Sequence, residues 1–239
     1  MKATTIRFEN TASRPRHALA LIYDLEGFSQ FFNQPDVQDY VPKFLNRVSE
    51  AMGLIISGGD EYWKEDDPGE MDPLLRPTHE KFLGDGALYL WIDGPETPLS
   101  EDFVKILCNR LWVLKANFTN VVKAAYDEIP VVDLPRRIRF GMARGTVYEL
   151  ATRASRQKEY IGFCINLASR LQKYCPELGF IASARIGLPK ATLDANSYLR
   201  VAAKQIKGFP REIVIVDADE YERLDDVVRQ QYFDPVEVA

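Results

Sequence analysis

Two aspartates stand where the chain turns. Asp24 closes the apolar run "HALALIYD" directly before a glycine-containing turn, and Asp85 lies between two glycines in "KFLGDGALYLW". Either one alone is accounted for by the preference of Asp for turns. Together, at the ends of two strands that pattern as neighbours, they form a carboxylate pair suited to hard cations. Mg²⁺ takes one or two carboxylates plus substrate phosphates, and two such ions clamp the attacking and leaving oxygens of a displacement. A second set is Asn166 and Arg170, four residues apart in "GFCINLASRLQKY" and so on one helical face. That face is offset from the apolar stripe of Cys164, Leu167 and Leu171. It is either a solvated polar face or an amide and a guanidinium directed at a phosphate. The two histidines, His17 and His79, are assigned no role.

The stretch "SGGDEYW" (57–63) carries the Gly-Gly-Asp-Glu-aromatic string found in the catalytic hairpin of enzymes that make cyclic di-GMP. There an apolar strand follows; here "KEDDPGEMDP" follows, and its acids and prolines do not continue a core strand. The hairpin role falls instead to "KFLGDGALYLW". Gly58-Gly59 reads as a turn after a helix, and residues 60–77 as an inserted loop. That loop is either a plain solvent loop or one that lies over the site and brings Tyr62 or Trp63 beside a bound base.

The elements that must position these groups follow from periodicity. Residues 17–24 read as a strand. "DVQDYVPKFLNRVSEAM" is helical, with Val37, Val41, Phe44, Leu45 and Val48 on one side. Ser100 caps a helix whose stripe is Phe103, Ile106, Leu107, Leu111, Leu114, Phe118, Val121 and Val122. "RRIRFGMARGTVYEL" reads as a hairpin turning near Arg144-Gly145, and "IVIVDA" (213–218) as a last core strand. The acidic end reads as a partner helix or a solvated tail. The expectation is one α+β domain over 1–239, with its core at about 16–217 and an antiparallel-rich sheet with helices on one face.

Bulk properties agree. The 239 residues are 46% hydrophobic and 27% charged, an ordinary globular balance. A net charge of −5 argues against a nucleic-acid partner. Cys108, Cys164 and Cys175 form no C-x-x-C pair, as expected of a reduced cytoplasmic protein. The start, "MKATTIRFEN", lacks the apolar run of a signal peptide, and no stretch approaches the roughly 20 apolar residues of a membrane helix.

"IYDLEGFSQF", "KFLGDGALYLW", "RIRFGMARGTVY", "YIGFCINLASRLQ" and "IKGF" occur in the order found in class III nucleotide cyclases, spanning residues 20 to 209. The chain resembles that family, whose ferredoxin-like catalytic domain works as a head-to-tail homodimer with two shared sites. The resemblance implies conversion of a nucleoside triphosphate to a 3′,5′-cyclic monophosphate and pyrophosphate, with two divalent cations, Mg²⁺ or Mn²⁺. By matching position, Asp24 and Asp85 are the metal aspartates, joined by the backbone at Leu25. Gly27 and Phe28 belong to the turn that wraps the triphosphate. Asn166 orients the ribose, Arg170 stabilises charge at the α-phosphate, and Lys207 meets the terminal phosphates.

Lys81 and Glu159 match the two positions that choose the base. Their combination follows neither the adenylate nor the guanylate pattern fully, and a donor with an acceptor suits adenine, uracil and cytosine alike. A compact chain with no attached sensor is similar to the bacterial pyrimidine cyclases of anti-phage defence, which make cUMP or cCMP to activate a separate effector protein. The expected activity is therefore uridylate before cytidylate cyclisation. An ordinary adenylate cyclase and a catalytically silent nucleotide-binding dimer are the competing readings.

Overall fold

The structure, a computed structural model, describes residues 8, 13–64, 69–94, 98–126, 128–151, 158–195 and 197–234. The first half comprises β1 (Arg16–Glu26), α1 (Phe28–Phe32), α2 (Val41–Ser57), β2 (Gly59–Asp60), β3 (Glu70–Met71), β4 (His79–Phe82), β5 (Gly86–Ile92) and α3 (Glu101–Tyr126). The second comprises β6 (Arg137–Ala151), β7 (Lys158–Gly162), α4 (Phe163–Leu171), β8 (Phe180–Ser183), α5 (Lys190–Ala195), β9 (Tyr198–Ala203), β10 (Glu212–Asp217), α6 (Ala218–Glu222), α7 (Asp226–Tyr232) and β11 (Phe233–Asp234).

The main sheet runs β11-β9-β10-β8-β6-β1-β5-β4, with β7 paired to β6 off this path. The β6–β8 pairing is parallel and the others are antiparallel. Strand β1 is buried on both faces, which explains its unbroken apolar run. Alternation divides it. Leu19, Leu21, Tyr23 and Leu25 join one core with Phe44 and Val48 of α2 and Leu107 and Leu111 of α3. Ala18, Ala20 and Ile22 join another with Cys164, Leu167 and Leu171 of α4. Helices therefore cover both faces, not one as the pattern of elements led us to expect. The mixed α+β architecture and the antiparallel-rich sheet are as expected.

Helix α3 starts as its cap dictates, the Ser100 hydroxyl accepting from the Phe103 N–H at 3.1 Å. Its buried stripe is as read from spacing except for Ile106, which is exposed. The expected hairpin at Arg144-Gly145 is instead the middle of the continuous 15-residue strand β6. Gly145 serves close packing there, not a turn: a Cβ would lie 2.7 Å from Cδ1 of Phe163, the first residue of α4. Strand β10 is not the last, because α6, α7 and β11 follow and dock. Tyr174 donates its hydroxyl to the Tyr232 carbonyl at 2.5 Å, and Phe233 is buried. The remainder of the acidic tail, 235–239, lies outside the described residues.

The inserted loop packs on the α2–α3 side. Trp63 is buried in that core and its carbonyl accepts from Asn120 of α3 at 2.9 Å. The Leu75 carbonyl accepts from the Trp91 indole at 2.7 Å. Residues 65–68 of the loop lie outside the described residues.

Candidate active site

The β4–β5 hairpin folds against β1 so that Asp24 is in register with Gly86, and the Leu25 N–H donates to the Asp85 carbonyl at 2.9 Å. The strands touch closely here: a Cβ on Gly86 would lie 1.9 Å from the Tyr23 carbonyl oxygen. This is the physical reason for the glycine after Asp85, and it sets the two carboxylates side by side. Their proximity appears in the acidity of Asp85. Burial first, and then the neighbouring Asp24 charge and a hydrogen bond with Asp24, raise its pKa above the ordinary carboxylate value.

Asp24 is buried on the α4 side of the sheet. Arg139, its register partner on β6, donates from Nη2 to Asp24 Oδ2 at 2.7 Å, and Lys173, just beyond α4, stands 3.7 Å from Asp24 Oδ1. The buried Nε of Arg139 has no partner among the described residues. Neither cation is evident from the sequence. Arg139 meets Asp24 because β6 pairs antiparallel with β1, a neighbour relation between distant segments that spacing along the chain does not give. Immediately after Asp24, Gly27 adopts a left-handed φ of 85° and opens α1, and its carbonyl accepts from the N–H groups of Gln30 and Phe31.

Two carboxylates suit the implied cations. Among the described residues no group of three or more His, Cys, Asp or Glu gathers as an all-protein metal cage. Mg²⁺ and Mn²⁺ fit such a pair, because they are completed by water and substrate phosphates.

Asn166 and Arg170 lie on the exposed face of α4, without a hydrogen bond to another described side chain. Lys207 is exposed in the β9–β10 turn. That turn is docked on the start of α4 by Phe209, whose ring meets Phe163 edge-on at 5.4 Å. Lys81 and Glu159, 78 residues apart, do come together: Nζ to Oε2 is 2.6 Å. Lys81 pairs in register with Leu88, so it shares the α4-side face with Asp24. Trp63 is on the opposite side of the sheet, which removes it as a cover for the base. Tyr62 stands beside Trp63, its phenol pKa pushed up to about 12 by burial first and then by the nearby Glu50 charge.

No family model and no curated protein matches the sequence. Solved structures do. The adenylyl cyclase CyaB from P. aeruginosa aligns with a TM-score of 0.59 at 18% identity, covering 86% of this chain and 94% of that one. The guanylyl cyclase Cya2 aligns at 0.57 and 20% identity, covering 87% and 93%. The chain has the class III cyclase fold. Because one of these is an adenylyl and the other a guanylyl cyclase, likeness of fold does not set the base. Among the described residues, no helix of this cyclase fold is long and apolar enough to cross a membrane.

Proposed function

We propose that the protein is a nucleotide cyclase acting on a pyrimidine triphosphate, UTP before CTP, as a cytoplasmic homodimer with two shared sites. The observation that supports cyclisation best is the Asp24–Asp85 carboxylate pair at the mouth of the Gly27 turn. Divalent cations held there would lower the pKa of the ribose 3′-hydroxyl and neutralise the leaving pyrophosphate. The chain's own groups do the rest. The backbone of the Gly27–Phe28 turn wraps the phosphates, and Arg139, with its spare Nε–H, is placed to pass from Asp24 to a phosphate oxygen once Asp24 is engaged. Asn166 holds the ribose so that the 3′-oxygen lies in line with the α-phosphorus. Arg170 presents fixed positive charge where negative charge builds in the transition state. Lys207 meets the terminal phosphates. The outward aspect of Asn166 and Arg170 supports a site completed between two copies, each giving its aspartates to one site and its α4 pair to the other.

Lys81 and Glu159, preassembled as a donor–acceptor pair, read the base edge. The product is expected to act on a separate cyclic-nucleotide-responsive effector, as in anti-phage defence. Release of a 3′,5′-cyclic product with pyrophosphate, dependent on Mn²⁺ and abolished by Asp24→Asn, tests the cyclase reading. A wild-type protein that binds triphosphate and releases neither product would support the silent-module reading instead.

A further inference from the structure

Beside Lys81 and Glu159 the same two strands make a second contact. His79 is two residues before Lys81, hence on the same face of β4, and its partner Leu90 belongs to the α4-side core. Tyr160 is next to Glu159. The two rings lie 5.0 Å apart, centroid to centroid, with planes tilted by 58°. Strands β4 and β7 are not neighbours in the sheet, since β4 pairs with β5 and β7 with β6. The ion pair and the ring pair are therefore the contacts that join them across the face.

The rings are held in place. The Tyr160 hydroxyl donates to Glu149 at 3.2 Å, and Glu149 in turn pairs with Lys158 at 2.9 Å. Both rings are half-buried. Burial lowers the His79 pKa below its ordinary value, which favours the neutral imidazole near pH 7. A tyrosine and an imidazole in tilted contact place two aromatic rings on the strands that carry the donor–acceptor pair.

We infer that His79 and Tyr160 set the size limit of the base site, filling the space that the second ring of a purine needs and leaving room for one ring against Lys81 and Glu159. This rests on the reading of those two residues as the base-recognising pair. Hydrogen bonding alone does not separate uracil from adenine there, so discrimination falls to volume. Shape differences of a single methylene already change kcat/KM by roughly 10–200-fold.

The test compares wild-type protein with His79→Ala, Tyr160→Ala and Tyr160→Phe, each given UTP, CTP, ATP and GTP separately with Mn²⁺, with kcat and KM measured for every product. The wild type is expected to favour pyrimidines. Each alanine variant should narrow the pyrimidine-to-purine ratio of kcat/KM by about tenfold or more, chiefly through a fall in purine KM. Tyr160→Phe keeps the ring and should keep the wild-type ratio. If an alanine variant does not fold, His79→Asn, which is smaller but still polar, is read on the same scale. A pyrimidine-preferring wild type whose alanine variants keep its ratio overturns the role of the two rings and leaves the pyrimidine reading intact. A wild type that cyclises ATP or GTP as well as UTP overturns both, and no cyclic product from any triphosphate overturns the cyclase reading and this inference with it.

Discussion

At the scale of the residue, the two aspartates are a functional liability to the free protein. Asp85 is held at raised pKa by burial and by Asp24, so ionising it beside Asp24 is less favourable than in water. Asp85→Asn removes that repulsion. It should lower cyclisation by about a hundred- to a thousandfold, as loss of a group acting at the reacting centre does, while leaving the melting temperature equal to or above that of the wild type. Thermal melts beside product assays check both halves, and a large loss of stability would show that Asp85 is a structural turn residue only. Asp24 and Asp85 stand side by side, as their places at two turns suggested, whereas the roles given to Asn166 and Arg170 rest on the resemblance to class III cyclases. Arg139, Lys173 and the His79–Tyr160 pair were not legible in the sequence, because each depends on which strands lie side by side, and spacing along the chain does not encode that.

At the scale of the element, the approach of the β4–β5 hairpin to β1 is set by Gly86. Gly86→Ala places a methyl 1.9 Å from the Tyr23 carbonyl, and a backbone oxygen has no rotamer with which to yield. A loss of about 3 kcal/mol in urea unfolding, together with loss of activity, is expected; a stable, active variant would show that the strands part at no cost. A second anchor lies at the end of β10. Asp217 accepts from Lys115 of α3 at 2.6 Å and from the Trp112 indole, and it caps α6 through the Glu220 N–H at 3.1 Å. Burial alone would raise its pKa, but Lys115 and these hydrogen bonds hold it below the ordinary value. A carboxylate depressed on folding contributes stability that is full above its unfolded pKa of about 3.9 and is lost as pH falls towards the lower folded value. Asp217→Asn should therefore cost about 2 kcal/mol at pH 7 and flatten the decline of stability below pH 4, read from urea midpoints across that range. Periodicity found α2, α3, α4 and the β4–β5 hairpin. It failed at β6, where Arg-Gly imitates a turn while the glycine in fact makes room for Phe163. It failed again at the C-terminal elements, whose aromatic anchors Tyr232 and Phe233 are diluted by surrounding acids.

At the scale of the whole molecule, the Asp24–Asp85 pair and the exposed Asn166–Arg170 pair are proposed as two half-sites that a second copy completes. The aspartate pair sits at one place on the sheet, while the α4 pair faces outward, and two copies arranged head to tail would supply both halves of each site. Mixing Asp24→Asn with Arg170→Ala protein should recover roughly a quarter of wild-type activity, since random pairing gives half mixed dimers with one intact site of two. No recovery from stable, exchanging dimers would place the complete site within one chain. The central claim is that this site closes a pyrimidine nucleotide into a ring. The most direct measurement incubates the purified protein with Mn²⁺ and UTP, CTP, ATP or GTP separately and identifies the products by mass spectrometry. The account predicts 3′,5′-cyclic UMP, with cyclic CMP second, and equimolar pyrophosphate; cyclic AMP or cyclic GMP as the main product, or triphosphate returned unchanged, would contradict it.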